Sequence, residues 1–174
     1  MTVTAVRKDT EALTLTLDAE FDASPERVWQ LWADPRQLER WWGPPGYPAT
    51  FTSLDLRAGG RAEYYMTGPE GVITPLGYWD IVDADPPRRL AMKDGFAKAD
   101  GTPDDEMPGP GAMNVTIEPI GDGRTRMSIE SIFPDTAAME QLLAMGQEEG
   151  LKQAVGQIDA ILAEDTLATT GDRR

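Results

Sequence analysis

The chain has 174 residues and a formal net charge of −14, from 30 acidic and 16 basic side chains, with no cysteine and no histidine. That length suits one domain, and the acidity argues against nucleic acid or an anionic membrane surface as partner, because phosphate binding needs a basic face. The two missing residue types remove disulfides, thiolate chemistry, a Ser-His-Asp triad, a histidine base and imidazole-bound metal, so no metal and no other cofactor is expected.

The N-terminal MTVTAVRKDT carries no export signal and no apolar run approaches the ~18 residues of a membrane span, which makes the cytoplasm the expected location. Leu13, Leu15, Leu17, Ala19 and Phe21 alternate with Thr14, Thr16, Asp18 and Glu20, predicting a first strand over 13–21. The stretch FDASPERVWQLWADPRQLERWWGPP follows, with Trp29, Trp32, Trp41 and Trp42 close together. Ser24 before Pro25 sets an N-cap hydroxyl ahead of a proline whose missing N–H costs nothing at the first helical position, and Asp34 before Pro35 repeats the device. Two short helices result, with Val28, Trp29 and Trp32 on one face of the first and Leu38, Trp41 and Trp42 toward the end of the second. Gly43-Pro44-Pro45 stops the second helix.

Strands are predicted over 49–56, 61–67, 73–82, 89–93, 112–120 and 124–133, divided by glycine- and proline-rich turns and by the hairpin Gly121-Asp122-Gly123. Segment 94–111, DGFAKADGTPDDEMPGPG, reads as one long acidic loop, and loops of that length are usually functional or disordered. Asp135, after Pro134, caps one long helix running to Glu164. Its inward stripe is Met139, Leu142, Leu143, Gly146, Gly150, Ala154, Ile158, Ile161 and Leu162. Residues 165–174 read as a flexible polar tail.

This order is the pattern of an α+β helix-grip domain over 1–164: a curved antiparallel sheet of six to seven strands around a long C-terminal helix, with two short helices after strand one. Alternation turns Ala62, Tyr64, Met66, Gly77, Trp79, Ile81, Leu90, Met92, Met113, Val115, Ile117, Met127 and Ile129 inward. Glu63, Asp80, Glu118 and Glu130 fall on the outer, solvated face. The candidate ligand-binding wall is Tyr64, Met66, Trp79, Ile81, Met92, Met113, Val115 and Met127, with Leu143, Gly146 and Gly150 from the helix. Adaptable thioethers and aromatic faces suit a bulky apolar ligand, although the same stripe also describes an ordinary packed core. Gly146 and Gly150 each cost about 1 kcal/mol in a helix interior. Either the helix approaches the sheet closely there or the glycines leave empty volume. Phe96 and Met107 are candidate lid residues in the long loop. The acids Asp100, Asp104, Asp105 and Glu106 lack the ligand spacing of a calcium loop.

With these residues in view, the chain resembles the family of activators of heat shock protein 90 ATPase, and more narrowly the bacterial single-domain proteins similar to that activator's C-terminal domain. These belong to the START-like, birch-pollen-allergen-like (SRPBCC) superfamily. The matching segments are F-x-A-S-P-E-R-V-W at 21–29, WWGP at 41–44, L-R-A-G-G-R at 56–61 and M-x-G-P-E-G at 66–71. G-Y-W-D-I-V at 77–82, P-P-R-R-L at 86–90, F-P-D at 133–135 and G-Q-E-E-G-L at 146–151 complete the set. The resemblance implies a cavity between sheet and last helix. Superfamily relatives bind lipids, steroids, hormones or polyketides, and some are cyclases or hydrolases. It implies no shared catalytic triad, and chaperone activation in the namesake uses a two-domain protein.

Three functional readings follow, in this order. The first is a non-catalytic binding protein for a small hydrophobic or aromatic molecule. The second is a chaperone-associated interaction module. The third is a cyclase or isomerase acting on a polyketide-like substrate, which needs an inward acid that the alternation does not supply unless a β-bulge turns Glu63 inward. Enzymatic activity and homodimer formation stay open at this stage.

Overall fold

The computed structural model describes residues 3–171, with side chains through Asp165. Its strands are β1 (Val3–Asp9), β2 (Thr14–Phe21), β3 (Ala49–Leu54), β4 (Arg61–Met66), β5 (Leu76–Asp85), β6 (Arg89–Ala97), β7 (Gly111–Gly121) and β8 (Arg124–Ile132). They form one antiparallel sheet in the order β1-β2-β8-β7-β6-β5-β4-β3. Helices α1 (Pro25–Ala33) and α2 (Pro35–Trp41) connect β2 to β3, and α3 (Thr136–Ala144), α4 (Gln147–Gly156) and α5 (Ile158–Gly171) follow β8. This is the helix-grip arrangement with eight strands rather than six or seven. Among the described residues no helix is long and apolar enough to cross a membrane.

The local signals behave as their chemistry dictates. The Ser24 hydroxyl accepts from the Arg27 N–H at 3.2 Å, the Asp34 carboxylate from the Arg36 N–H at 3.0 Å, and the Asp135 carboxylate from the Ala138 N–H at 2.7 Å. Each satisfies a backbone donor that the first helical turn would leave orphaned. On β2 the predicted alternation is realised, with Leu15, Leu17, Ala19 and Phe21 buried.

Three elements differ from the sequence reading. The additional strand β1 pairs with β2 at the sheet edge, where it needs little apolar content to hold its place. Strand β6 runs on to Ala97, pairing Asp94 with Trp79 and Phe96 with Gly77, so the loop is confined to 98–110. The expected single C-terminal helix is three helices. The first break is at Gly146, whose φ of +90° lies in the left-handed region that side chains disfavour. The second is a tighter turn at Gln157, whose side-chain amide donates to the Gly43 carbonyl at 2.7 Å. α5 continues through 165–171, where a polar tail is expected, and Asp165 pairs with Arg27 at 2.5 Å. Residues 172–174 of that expected tail lie outside the described residues.

The tryptophans pack one end of the concave face. Trp32 meets Trp41 edge-on at 4.8 Å between ring centroids, and Trp42 meets Trp79 at 4.9 Å in the same manner. The Trp41 indole N–H donates to the Leu31 carbonyl at 2.8 Å, and that of Trp32 to the Met127 sulfur at 3.2 Å. A ring of this size removes roughly 200 Å² from water, worth on the order of 5 kcal/mol before ordering costs, and edge-on pairs add about 0.5–1.5 kcal/mol each. Dense ring packing fills this part of the concave face as far as Trp42 and Tyr64.

A candidate ligand pocket with one unpaired carboxyl

A pocket of about 400 Å³ lies between the far end of the concave face and the break joining α3 to α4. The strands supply its floor by alternation: Tyr64 and Met66 from β4, Gly77 from β5, Asp94 and Phe96 from β6, Met113 from β7 and Ser131 from β8. Leu142, Met145, Gln147, Gly150 and Leu151 form the roof, while Trp42, Thr74, Pro75 and Pro108 stand around the sides.

The glycines have different causes. A Cβ on Gly150 would meet nothing within 4 Å, so this residue opens onto empty space and does not serve close helix–sheet approach. Gly146 likewise has open space around it, but its positive φ accounts for it independently, so it is no helix-interior glycine. At Gly77 a Cβ would stand 2.4 Å from the Tyr64 ring, and that absence of a side chain lets the tyrosine lie flat on the floor. Phe51 then stacks on Tyr64 at 5.0 Å, and Trp42 meets it edge-on at 6.1 Å.

Asp94 changes the chemistry of the site. Leu90 and Met92 are buried on the concave side of β6, so Asp94, two residues further on, turns the same way. Among the described residues no group donates a hydrogen bond to its carboxyl and no basic side chain pairs with it. Desolvation alone pushes its pKa up to about 7. Tyr64 is held neutral, its phenol pushed far above the usual range, first by burial and then by the charge of Asp94. The Trp42 and Trp79 N–H groups oppose that shift, yet neither meets hydrogen-bond geometry with any partner. The side-chain carbonyl of Gln147 is also buried without a partner. These unmatched groups stand out because buried polar atoms are nearly always paired.

Of the predicted wall, Tyr64, Met66, Met113, Gly146 and Gly150 line the pocket. Trp79, Ile81, Met92, Val115 and Met127 do not line it and are packed in the core, and Leu143 packs instead beside Leu15, Phe133 and Met139. Phe96 is a fixed wall on a strand rather than a lid on a loop, and Met107 does not reach the pocket. The sequence reading missed Trp42, Asp94, Ser131 and Gln147. The parity of Leu90, Met92, Asp94 and Phe96 was the signal for the acid, obscured by ending the strand at Lys93 and placing Asp94 in the long loop 94–111.

The four strand acids expected outside are there: Asp80 pairs with Arg61 at 2.9 Å, Glu63 approaches the same guanidinium at 3.9 Å, Glu118 pairs with Arg126 at 3.4 Å and Glu130 accepts from Asn114 at 3.2 Å. Glu63 therefore stays outward and no bulge brings it in. Among the described residues no three His, Cys, Asp or Glu side chains gather as a metal site would require.

The fold and sequence agree with solved structures. A solution NMR structure of a protein from Arthrobacter aurescens is 48% identical over 94% of this chain and 93% of its own, with a TM-score of 0.87. The crystal structure of protein Ms6760 from Mycobacterium smegmatis is 44% identical over 94% of this chain and 99% of its own, with a TM-score of 0.83. The AHSA1 protein from Silicibacter pomeroyi, 22% identical over 87% of this chain and 99% of its own at a TM-score of 0.70, shares the fold. No curated protein matches the chain. Residues 22–163 match the family described as activator of Hsp90 ATPase homolog 1-like protein, and the chain belongs to that family.

Proposed function

We propose that this protein binds a small, largely apolar molecule with an aromatic or alicyclic body in the pocket between the sheet and the α3–α4 break. The observation that carries this reading is the free volume itself. About 400 Å³ is bounded by Trp42, Tyr64, Met66, Phe96, Met113 and Leu151, and Gly150 withholds the side chain that would fill it. A space of that size and lining suits a drug-sized ligand, and burial of its apolar surface at about 25 cal/mol per Å² supplies the driving force. Met66, Met113 and Met145 can adjust to an irregular shape.

Titration with the neutral fluorophore N-phenyl-1-naphthylamine tests the reading. The expected result is one saturable site that quenches tryptophan emission, because Trp42 lines the pocket, and loss of that site in Gly150→Leu with an unchanged circular dichroism spectrum. Equal binding by both proteins would refute it.

An enzyme of cyclase or isomerase type is the second reading, and Asp94 favours it. The inward acid that such chemistry requires comes from the unforeseen extension of β6, and a carboxyl near pH 7 is suited to proton transfer.

A further inference from the structure

We infer that the pocket selects an organic cation: a protonated amine on an aromatic or alicyclic body, paired with the Asp94 carboxylate at the pocket floor. This rests on the pocket-binding reading above and adds the charge of the ligand. Among the residues that line the pocket, Asp94 is the one acid, and neither lysine nor arginine is present. Asp94 is a half-buried carboxyl turned into the pocket, losing water contacts is costly for its charged form, and among the described residues no protein group hydrogen-bonds to it. An anionic ligand would add a second uncompensated negative charge, inside a chain whose net charge is already −14. A neutral apolar ligand would desolvate Asp94 further and return nothing. An ammonium group answers both deficits.

Two further features fit the same class. The Gln147 side-chain carbonyl, buried and unpartnered in the roof, is a second acceptor with no protein donor, and an ammonium group has N–H bonds to spare. Trp42, Tyr64 and Phe96 line the cavity, and aromatic rings attract a desolvated cation. The titratable groups that face Asp94 are few. Tyr64 shares its face of the sheet, Tyr78 feels it through the sheet from β5, and α3 and α4 contribute no charged residue to the pocket.

Three isosteric probes separate charge from shape: 1-naphthylmethylamine, 1-naphthylmethanol and 1-naphthoate, titrated calorimetrically into the full chain at pH 8 and pH 5.5. At pH 8 the amine should bind at least tenfold tighter than the alcohol, with naphthoate weakest. With a carboxyl titrating near 7, the ionised fraction falls about thirtyfold on going to pH 5.5, and the amine's advantage should shrink toward that limit while the alcohol is unaffected. Asp94→Asn should remove the amine's advantage at both pH values and leave alcohol binding in place. Equal affinity of amine and alcohol for the wild-type chain at pH 8, or an amine preference that survives in Asp94→Asn, would overturn the inference while the pocket reading stands. Binding of none of the three would overturn both.

Discussion

Replacing Asp94 by asparagine should stabilise the protein, by an amount that grows with pH. Desolvation holds this carboxyl near 7 in the folded chain against its ordinary 3.8. The folded chain therefore keeps a proton that the unfolded chain releases between those two values. Stability is unaffected below about pH 4, is lost progressively as pH rises toward 7, and levels off above it. At about 1.4 kcal/mol per unit, the loss amounts to roughly 2 kcal/mol at pH 5 and roughly 4 kcal/mol at pH 8. The asparagine amide brings its own unpaired polar atoms, but that cost does not depend on pH and cancels when two pH values are compared. Urea unfolding of both proteins, followed by tryptophan fluorescence, should thus show the variant's advantage increasing by about 2–3 kcal/mol from pH 5 to pH 8. Every other titrating group is common to the two proteins. A difference that stays constant across this range would mean that the Asp94 carboxyl is fully hydrated, and the account of the pocket floor would fail.

Gly150→Ala should raise stability by about 0.5–1 kcal/mol, read as a higher thermal midpoint, since a Cβ there meets nothing and alanine is the better helix former. Gly77→Ala should do the opposite, costing about 1–3 kcal/mol in urea unfolding, because its Cβ would stand 2.4 Å from the Tyr64 ring and force it off the floor. Asp135→Ala should cost about 1 kcal/mol by removing the acceptor of the Ala138 N–H at the start of α3, with amide exchange rising first in that helical turn.

What the sequence made legible was periodicity and caps. Leu15, Leu17, Ala19 and Phe21 alternate because one face of β2 must be buried, and Ser24-Pro25 and Asp34-Pro35 start helices by a mechanism local to four residues. Glycine was where that reading failed, because glycine has several uses that look alike in one dimension. Gly95 reads as part of the glycine-rich loop 94–111, yet it is strand: a Cβ there would stand 2.9 Å from the Tyr78 ring, so the glycine admits a ring packed on the convex face. Gly146 suggests a helix interior thinned to make room, yet its φ of +90° ends one helix and precedes another. The first misreading hid Asp94 in a loop and with it the chemistry of the site. The second merged α3 with α4. Half of the predicted pocket wall proved to be core for a related reason: alternation says which face a residue takes, not how far along that face the packing is complete.

The isolation of Asp94 is a consequence of register rather than of a shortage of basic side chains. Asp80 on β5 lies one residue from Trp79, which is the cross-strand partner of Asp94, so the two acids are near neighbours on adjacent strands. Asp80 faces outward, where Arg61 reaches it at 2.9 Å and also covers the Tyr78 ring at 4.5 Å. Asp94 faces inward because Met92, two residues before it, is locked into the core. No arginine on the convex side can follow it through the sheet, and the residues that line the pocket include no lysine or arginine. Moving the acid one position along β6 would send it outward among the ion pairs and leave the pocket uncharged. The proposed charge selectivity therefore depends on the parity of a single strand, and a variant with the inward acid removed, Asp94→Ala, should keep the outer Arg61–Asp80 pair while losing every preference for a cation. Its readout is the amine-to-alcohol affinity ratio, expected to fall to one; a ratio still at tenfold would place the source of selectivity elsewhere in the pocket.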